Sequence, residues 1–187
     1  MSALPHPPQI DPQAVELVVM RRRHLRQVLR IESQVYPRPW SAALFLQEMS
    51  RKTDRAYLVA RYDAQVIGYG GVMIAPPEAH ITTIAVDPGY HRNHIGTKLM
   101  LGLIDSATNR GCRSVSLEVR KSNLGAQKMY EAFGFRPVGV RRGYYVETGE
   151  DAIVMWVEGV DLPKYGEVLD RHRATITHVG GGDAGAS

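Results

Sequence analysis

Residues 118–130 read EVRKSNLGAQKMY: a glutamate near the end of an apolar alternation, and a tyrosine one short helix later. A carboxylate can take a proton from an incoming amine, directly or through water, and a phenol can return one to a leaving group. The same two residues could instead be a surface ion-pair partner and a core tyrosine with a satisfied hydroxyl. Their spacing leaves both readings open. A second candidate is HRNHIGTK at 91–98. There a glycine, Gly96, sits at a helix start among Arg92, His94 and Lys98. The first N–H groups of a helix have no internal partner and favour an anion, so a diphosphate would be well met. The alternative is an ordinary basic helix start capped by Asn93. His91 and His94 find no third ligand nearby, so no metal is expected.

These groups must be held by strands and helices whose pattern is visible. SVSLEV alternates, with Val115, Leu117 and Val119 facing one way and Ser116 and Glu118 the other. Glu118 therefore projects from the carboxyl end of a strand, where ligands of open α/β sheets collect. Tyr130 lies on or beside the apolar stripe of a helix carrying Ala126, Met129 and Phe133 and closed by Gly134. Leu99, Met100, Leu103, Ile104 and Ala107 form the stripe of the helix that follows the basic loop, with Gly111 just past its end. Upstream, VELVV (15–19) reads as a strand and 21–34 as a helix, and Ser41 is a reasonable N-cap for the next. Residues 56–74 are two strands about a turn at Asp63 and Ala64, and 80–87 is a third. RPVGV (136–140) and DAIVMWV (151–157) complete the set. The order βα(α)βββαβαββ implies a mixed α/β sheet with helices on both faces.

The chain has 187 residues, 44% hydrophobic and 22% charged, which suits one domain with its own core. Residues 1–13, rich in proline, read as a flexible arm. A domain spans 14–160, and 161–187 is an extension with a short helix and a glycine-rich tail. Cys112 is the only cysteine, which rules out an intramolecular disulfide and a thiolate metal cluster. No apolar run approaches the roughly 20 residues that cross a bilayer, and the N-terminus lacks the pattern of a secretory signal. A cytoplasmic protein is the expectation. The net charge of +4 suits phosphate-bearing partners without reaching the footprint of a dedicated nucleic-acid binder. The run RRRHLRQVLR at 21–30 is a solvated helix face or a contact for RNA or an acidic partner.

Three segments, TTIAVDPGYHRNHIGTKLM, SLEVRKSNLGAQKMYEAFGF and VGVRRGYYVETGEDAIVMW, together resemble the Gcn5-related N-acetyltransferase (GNAT) superfamily. Within it they are most similar to the RimI type, bacterial alanine N-acetyltransferases of small-subunit ribosomal protein eighteen. The resemblance covers about residues 15–158. It implies the GNAT fold, with a twisted mixed sheet of about seven strands, and acetyl-CoA as acetyl donor. It also implies that the backbone of Ile84, Ala85 and Val86 bonds the pantetheine arm where two parallel strands splay apart. Residues Arg92, Asn93, His94, Ile95, Gly96 and Thr97 would cradle the pyrophosphate, and Asn123 would contact the coenzyme. Glu118 would be the general base and Tyr130 the general acid of a direct transfer, with Cys112 away from the chemistry.

The peptide would lie between Tyr36 and Trp40 on one side and Tyr144 and Tyr145 on the other, with Glu147 or Glu150 available for basic substrate side chains. The partner implied is the N-terminal segment of a ribosomal or other protein, met by a monomer without membrane. The alternatives are a GNAT acting on a lysine side chain, polyamine or other small amine, and an acyl-CoA-binding module without catalysis. The sequence departs from the family at the loop, where His91 and His94 replace usual residues and Gly96 alone is kept. If the turn demands positive φ at 94, histidine adopts it more readily than branched residues do; otherwise its ring, or that of His91, reaches a phosphate.

Overall fold

The structure is a computed structural model and describes residues 8–179. Seven strands form one sheet in the order β1-β2-β3-β4-β5-β7-β6. They are β1 (Glu16–Val19), β2 (Arg55–Tyr62), β3 (Gln65–Ala75), β4 (Glu78–Val86), β5 (Ser114–Arg120), β6 (Arg136–Tyr145) and β7 (Glu150–Glu158). Every neighbouring pair is antiparallel except β4 with β5. Five helices join them: α1 (Leu25–Val35), α2 (Ala42–Ser50), α3 (Ile95–Thr108), α4 (Leu124–Ala132) and α5 (Pro163–Val179). The expected mixed sheet of about seven strands is what forms.

The local signals act as their chemistry requires. Ser41 caps α2, its hydroxyl accepting from the Leu44 N–H at 3.2 Å. Asp63 and Ala64 turn β2 into β3 with φ of 46° and 63°. Gly111 and Gly134 end α3 and the segment after α4 with φ of 86° each, a conformation that favours glycine. The basic run at 21–30 divides into a 3₁₀ turn (Arg22–His24) and α1, with Leu25 and Val28 buried and Arg22, Arg23 and Arg26 exposed. That is the solvated-face arrangement.

The sheet separates two cores. Val28, Ile31 and Phe45 of α1 and α2 pack with Tyr57, Val59 and Tyr69 on one face. On the other, Met100, Leu103 and Ile104 of α3 pack with Leu117, Tyr130, Phe133 and Met155. The C-terminal helix closes this second core and is longer than the short helix expected. Tyr165 donates to the Phe133 carbonyl at 2.8 Å, and His172 stacks on the Phe133 ring at 3.8 Å. Residues 180–187, most of the expected glycine-rich tail, lie outside the described residues, as do 1–7.

The rest of the N-terminal segment differs from the flexible arm expected of it. Ile10 and Pro12 are buried, and Asp11 caps a 3₁₀ turn at Pro12–Ala14. Lys98 donates to the Pro12 carbonyl at 2.7 Å and also to that of Val15. A proline-rich string without periodicity carries no sign of such docking, because its partners are 80 or so residues away.

One irregularity shapes the sheet. Between β3 and β4 the register shifts after Gly71, so that Gly71 faces Thr83 while Val72 faces Ile81, and Thr82 is the extra residue. A bulge bends its strand and increases the local twist. A Cβ at Gly71 would lie 2.4 Å from Tyr57 Cε1 and 2.9 Å from Thr82 Oγ1, so only glycine fits beside the bulge. Gly71→Ala is expected to cost about 1–3 kcal/mol by overpacking, read as a lower urea midpoint. Gly166→Ala, in α5 with open space around the new methyl, is expected to leave the midpoint unchanged or raise it by about 0.5–1 kcal/mol of stability.

Candidate active site

Pairing of β4 with β5 runs from Glu78–Ser114 to Ile81–Leu117 and stops there. β4 continues to Val86 and β5 to Arg120 without each other, from the bulged residue Thr82 onward. The gap opens into a cavity of about 630 Å³. Its walls include Glu32, Tyr36 and Trp40 from the α1–α2 side, and Tyr130, whose ring belongs to the core on the α3 side. The cavity therefore forms a slot through the sheet.

Glu118 lines this slot, and its side chain is only 9% exposed. One carboxylate oxygen, Oε2, lies 2.9 Å from His80 Nε2, and the other, Oε1, 3.3 Å from Arg141 Nη2. Tyr130 is buried on α4, its ring 6.0 Å from that of Phe135. Among the described residues nothing hydrogen-bonds its hydroxyl. Burial, and then the neighbouring Tyr36 and Tyr145, raise its pKa well above the ordinary 10.0 of a phenol, so at neutral pH it is a proton donor with a free O–H. The structure thus brings both members of the candidate pair to one cavity.

Two segments flank the slot. On one side the loop from Tyr36 to Ser41 is fixed by Glu32, buried on the apolar face of α1. Its carboxylate accepts from the Trp40 backbone N–H at 2.9 Å and from the Tyr69 hydroxyl. Burial raises its pKa, partly offset by the Trp40 bond. Tyr36 donates to the Ile84 carbonyl at 3.1 Å and lies 3.2 Å from Thr83 Oγ1.

On the other side the β6–β7 hairpin is fixed by Arg120. Its guanidinium pairs with Glu147 and, at 3.2 Å, with Glu150, and lies 3.8 Å above the Tyr145 ring. Burial raises the Tyr145 pKa to about 12. Tyr36, Trp40, Tyr144 and Tyr145 all line the cavity as expected of them. Glu147 and Glu150, expected to be available for a basic substrate, are engaged with Arg120 instead.

The loop before α3 fits an anion at its backbone. The N-cap is His94, at φ 56°, and no side chain caps the helix start. The leading N–H groups at Ile95, Gly96 and Thr97 are thus left for a ligand, and Arg92, itself at φ 62°, is exposed beside them. A Cβ on Gly96 would lie 3.2 Å from Met129 Sδ of α4, so this glycine lets α3 and α4 close together.

One expectation changes here. The Asn93 side chain is buried and turned away from the loop surface, accepting from Ile10 N–H at 3.0 Å and donating to the Pro8 carbonyl at 3.0 Å; it neither caps α3 nor faces a phosphate. The Ile84 carbonyl accepts from Tyr36, Ala85 is buried, and Ile84 lines the cavity. His91 Nε2 sits 3.2 Å from the Val86 carbonyl. Asn123 has two tasks, lining the cavity and capping α4 through the Ala126 N–H at 3.1 Å. Cys112 is buried away from the slot, donating to the Glu78 carbonyl at 3.3 Å.

Glu32, His80, Arg120 and Arg141 were missed by sequence reasoning. Glu32 had a signal, since the stripe Val28, Ile31, Val35 places it on the apolar face. A carboxylate there needs partners. For the other three the signal is the strand pairing itself.

The Acetyltransferase (GNAT) family model matches residues 25–135. A candidate ribosomal protein bS18-alanine N-acetyltransferase of Bacillus subtilis is 37% identical over 138 residues, covering 74% of this chain and 91% of the relative. N-alpha-acetyltransferase RimI of Mycobacterium tuberculosis is 34% identical over 151 residues, covering 78% and 93%. The crystal structure of the ribosomal-protein-S18-alanine N-acetyltransferase of Escherichia coli aligns with a TM-score of 0.70 at 29% identity, covering 78% of this chain and 94% of that one.

The raised pKa of Glu32 sets a pH dependence. The folded state holds this proton more tightly than the unfolded chain, so the group favours folding at low pH. That contribution is lost as pH rises from the ordinary carboxyl value through the folded one. Glu32→Gln keeps an acceptor for Trp40 and removes the ionisation. Thermal midpoints of wild type, relative to Glu32→Gln, are expected to fall between pH 4 and pH 7; a constant difference would contradict the assignment. Glu32→Ala is expected to cost about 1–3 kcal/mol through the bonds left unmade.

Proposed function

The chain belongs to the GNAT acetyltransferase family, and on that premise we propose that it acetylates the α-amino group of an N-terminal alanine in a ribosomal protein of the bS18 class. It is an acyltransferase that uses acetyl-CoA. The observation that carries the reading is the slot between β4 and β5, where Glu118 and Tyr130 meet one cavity from the two faces of the sheet. The names of the relatives supply the substrate class.

Acetyl-CoA supplies an activated acetyl group that a neutral amine can attack. A substrate's terminal ammonium has a pKa of roughly 7.7–8.0, so it needs only modest help to lose its proton. Glu118 takes that proton, through water, and the C–N bond forms as the C–S bond breaks. Tyr130, kept protonated by burial, donates to the departing thiolate. The first N–H groups of α3 with Arg92 hold the diphosphate, and Asn123 meets the coenzyme from the cavity wall. The peptide enters between the Tyr36–Trp40 loop and the β6–β7 hairpin, both fixed by buried or paired charges before substrate arrives, which limits the ordering cost of binding.

Two experiments test this. Short basic peptides beginning with alanine, serine or methionine, with free or blocked termini, and a blocked peptide with an internal lysine, are incubated with enzyme and acetyl-CoA. Modification of the free alanine terminus is expected, located by mass spectrometry, and transfer to the blocked lysine peptide would move the acceptor to side chains. Glu118→Gln and Tyr130→Phe are each expected to lower turnover by about 10²–10⁴-fold, with coenzyme binding by calorimetry unchanged. Wild-type turnover in both would remove them from the chemistry.

A further inference from the structure

We propose that His80, oriented by Ser116, is a positioning residue that holds Glu118 as a base by bonding Oε2, so that Oε1, which meets Arg141 at 3.3 Å, keeps a lone pair to take the proton. The inference rests on the reading of Glu118 as general base. His80 on β4 and Ser116 on β5 are register partners in the only parallel pair of the sheet. Strand alternation places Ser116 and Glu118 on one face, and His80 bridges to both. Its Nδ1 lies 2.9 Å from Ser116 Oγ and its Nε2 2.9 Å from Glu118 Oε2. Ser116 Oγ is also 3.4 Å from the Ala79 carbonyl, a longer and weaker alternative.

The hydrogen bonds fix the roles. An ionised carboxylate only accepts, so Nε2 must carry the hydrogen that faces Oε2. In the neutral imidazole Nδ1 is then the acceptor, and the Ser116 hydroxyl donates to it rather than to Ala79. With the imidazole neutral, the chain Ser116–His80–Glu118 runs in one direction with one tautomer. The terminal torsion of a glutamate is broad and poorly defined by itself. The other neighbour of this carboxylate is Arg141, whose side chain is 57% exposed. Without His80 the carboxylate is free to rotate and offer both oxygens to that guanidinium, the bidentate arrangement that arginine favours. Such a pair would set both oxygens against a permanent cation and weaken the carboxylate as a base. His80 keeps Oε2, so that Arg141 meets Oε1 alone, by a single contact of 3.3 Å. In the transfer the proton leaves the ammonium, passes by water to Oε1, and leaves with product release; His80 keeps its own hydrogen throughout.

The test combines steady-state kinetics on an alanine-starting peptide with a mutant cycle. His80→Ala is expected to lower kcat by about 10²-fold, the scale of an ångström's misplacement of a reacting group, with KM for acetyl-CoA unchanged. His80→Gln, whose amide N–H can reach Oε2, is expected to recover most of that loss, which a merely space-filling role would not predict. Combined with Glu118→Gln, His80→Ala should add no further loss, because it acts only through that carboxylate.

Additional loss in the double variant would make His80 a group that touches substrate and would overturn the positioning role. So would wild-type kcat in His80→Ala alongside a disabled Glu118→Gln. Wild-type kcat in Glu118→Gln would instead sink the base assignment, a different failure. Should His80→Ala not fold, Ser116→Ala, which removes the second anchor of the imidazole ring while leaving both other residues, is expected to lower kcat several-fold; an unchanged kcat there overturns the chain.

Discussion

The site depends on one interruption in a hydrogen-bond ladder. β4 pairs with β5 only as far as Ile81–Leu117, because the next residue, Thr82, is an extra one that bends β4. The bend is possible because residue 71 has no side chain to meet Tyr57. Past that point β4 and β5 diverge while each remains held by its other neighbour, β3 and β7. A parallel pair buried under helices on both faces would ordinarily be closed. Here the separation admits a residue from the far core, Tyr130, to the same cavity as Glu118. Neither residue could serve the other's chemistry across an intact sheet.

What flanks the slot is held by charge. Glu32 and Arg120 are single ionisable groups that each gather several partners from distant parts of the chain. Glu32 ties α1 to the Trp40 backbone and to β3, and Arg120 ties β5 to the β6–β7 hairpin through two carboxylates and an aromatic face. Loops carry specificity because they vary, yet they bind well only when pre-ordered. Burying a carboxylate on α1 is costly unless it is bonded, and the bonds it requires are those that fix the loop. The apolar face of α1 and the shape of the substrate entrance are therefore set by the same residue.

Much of this was legible in the sequence because it is local. Alternation in SVSLEV, Ser41 before α2, and the glycines after α3 and α4 report on neighbours within a few residues, and each element formed close to where it was expected. Glu118 was visible as a polar residue on the cavity face of an apolar strand, and the basic loop as an unpartnered helix start. His80 carried no such mark. EAHITTIAV reads as a plain strand, and only the parallel register with Ser116 gives the ring a role. Asn93 misled because an asparagine before a helix is a common cap, whereas here it is a buried clamp on Pro8 and Ile10. That clamp, and the docked segment it holds, depend on contacts across the length of the chain, for which periodicity has no vocabulary.

The proton economy of the cavity explains why several tyrosines can line it while one is suited to act. Tyr36 commits its hydroxyl to the Ile84 carbonyl, and the Tyr145 ring lies under the Arg120 guanidinium. Both hold the walls. Tyr130 is buried, without a partner at its oxygen among the described residues, and its ionisation is opposed by the low dielectric and by the neighbouring phenols. Its ring is buried but its oxygen meets the cavity, where an arriving acceptor can bond it. A thiolate leaving into that cavity is such an acceptor, forming late in the reaction and absent from the ground state. A bond from this hydroxyl to the forming thiolate is made during transfer and not before it, and a difference of that kind accelerates a reaction.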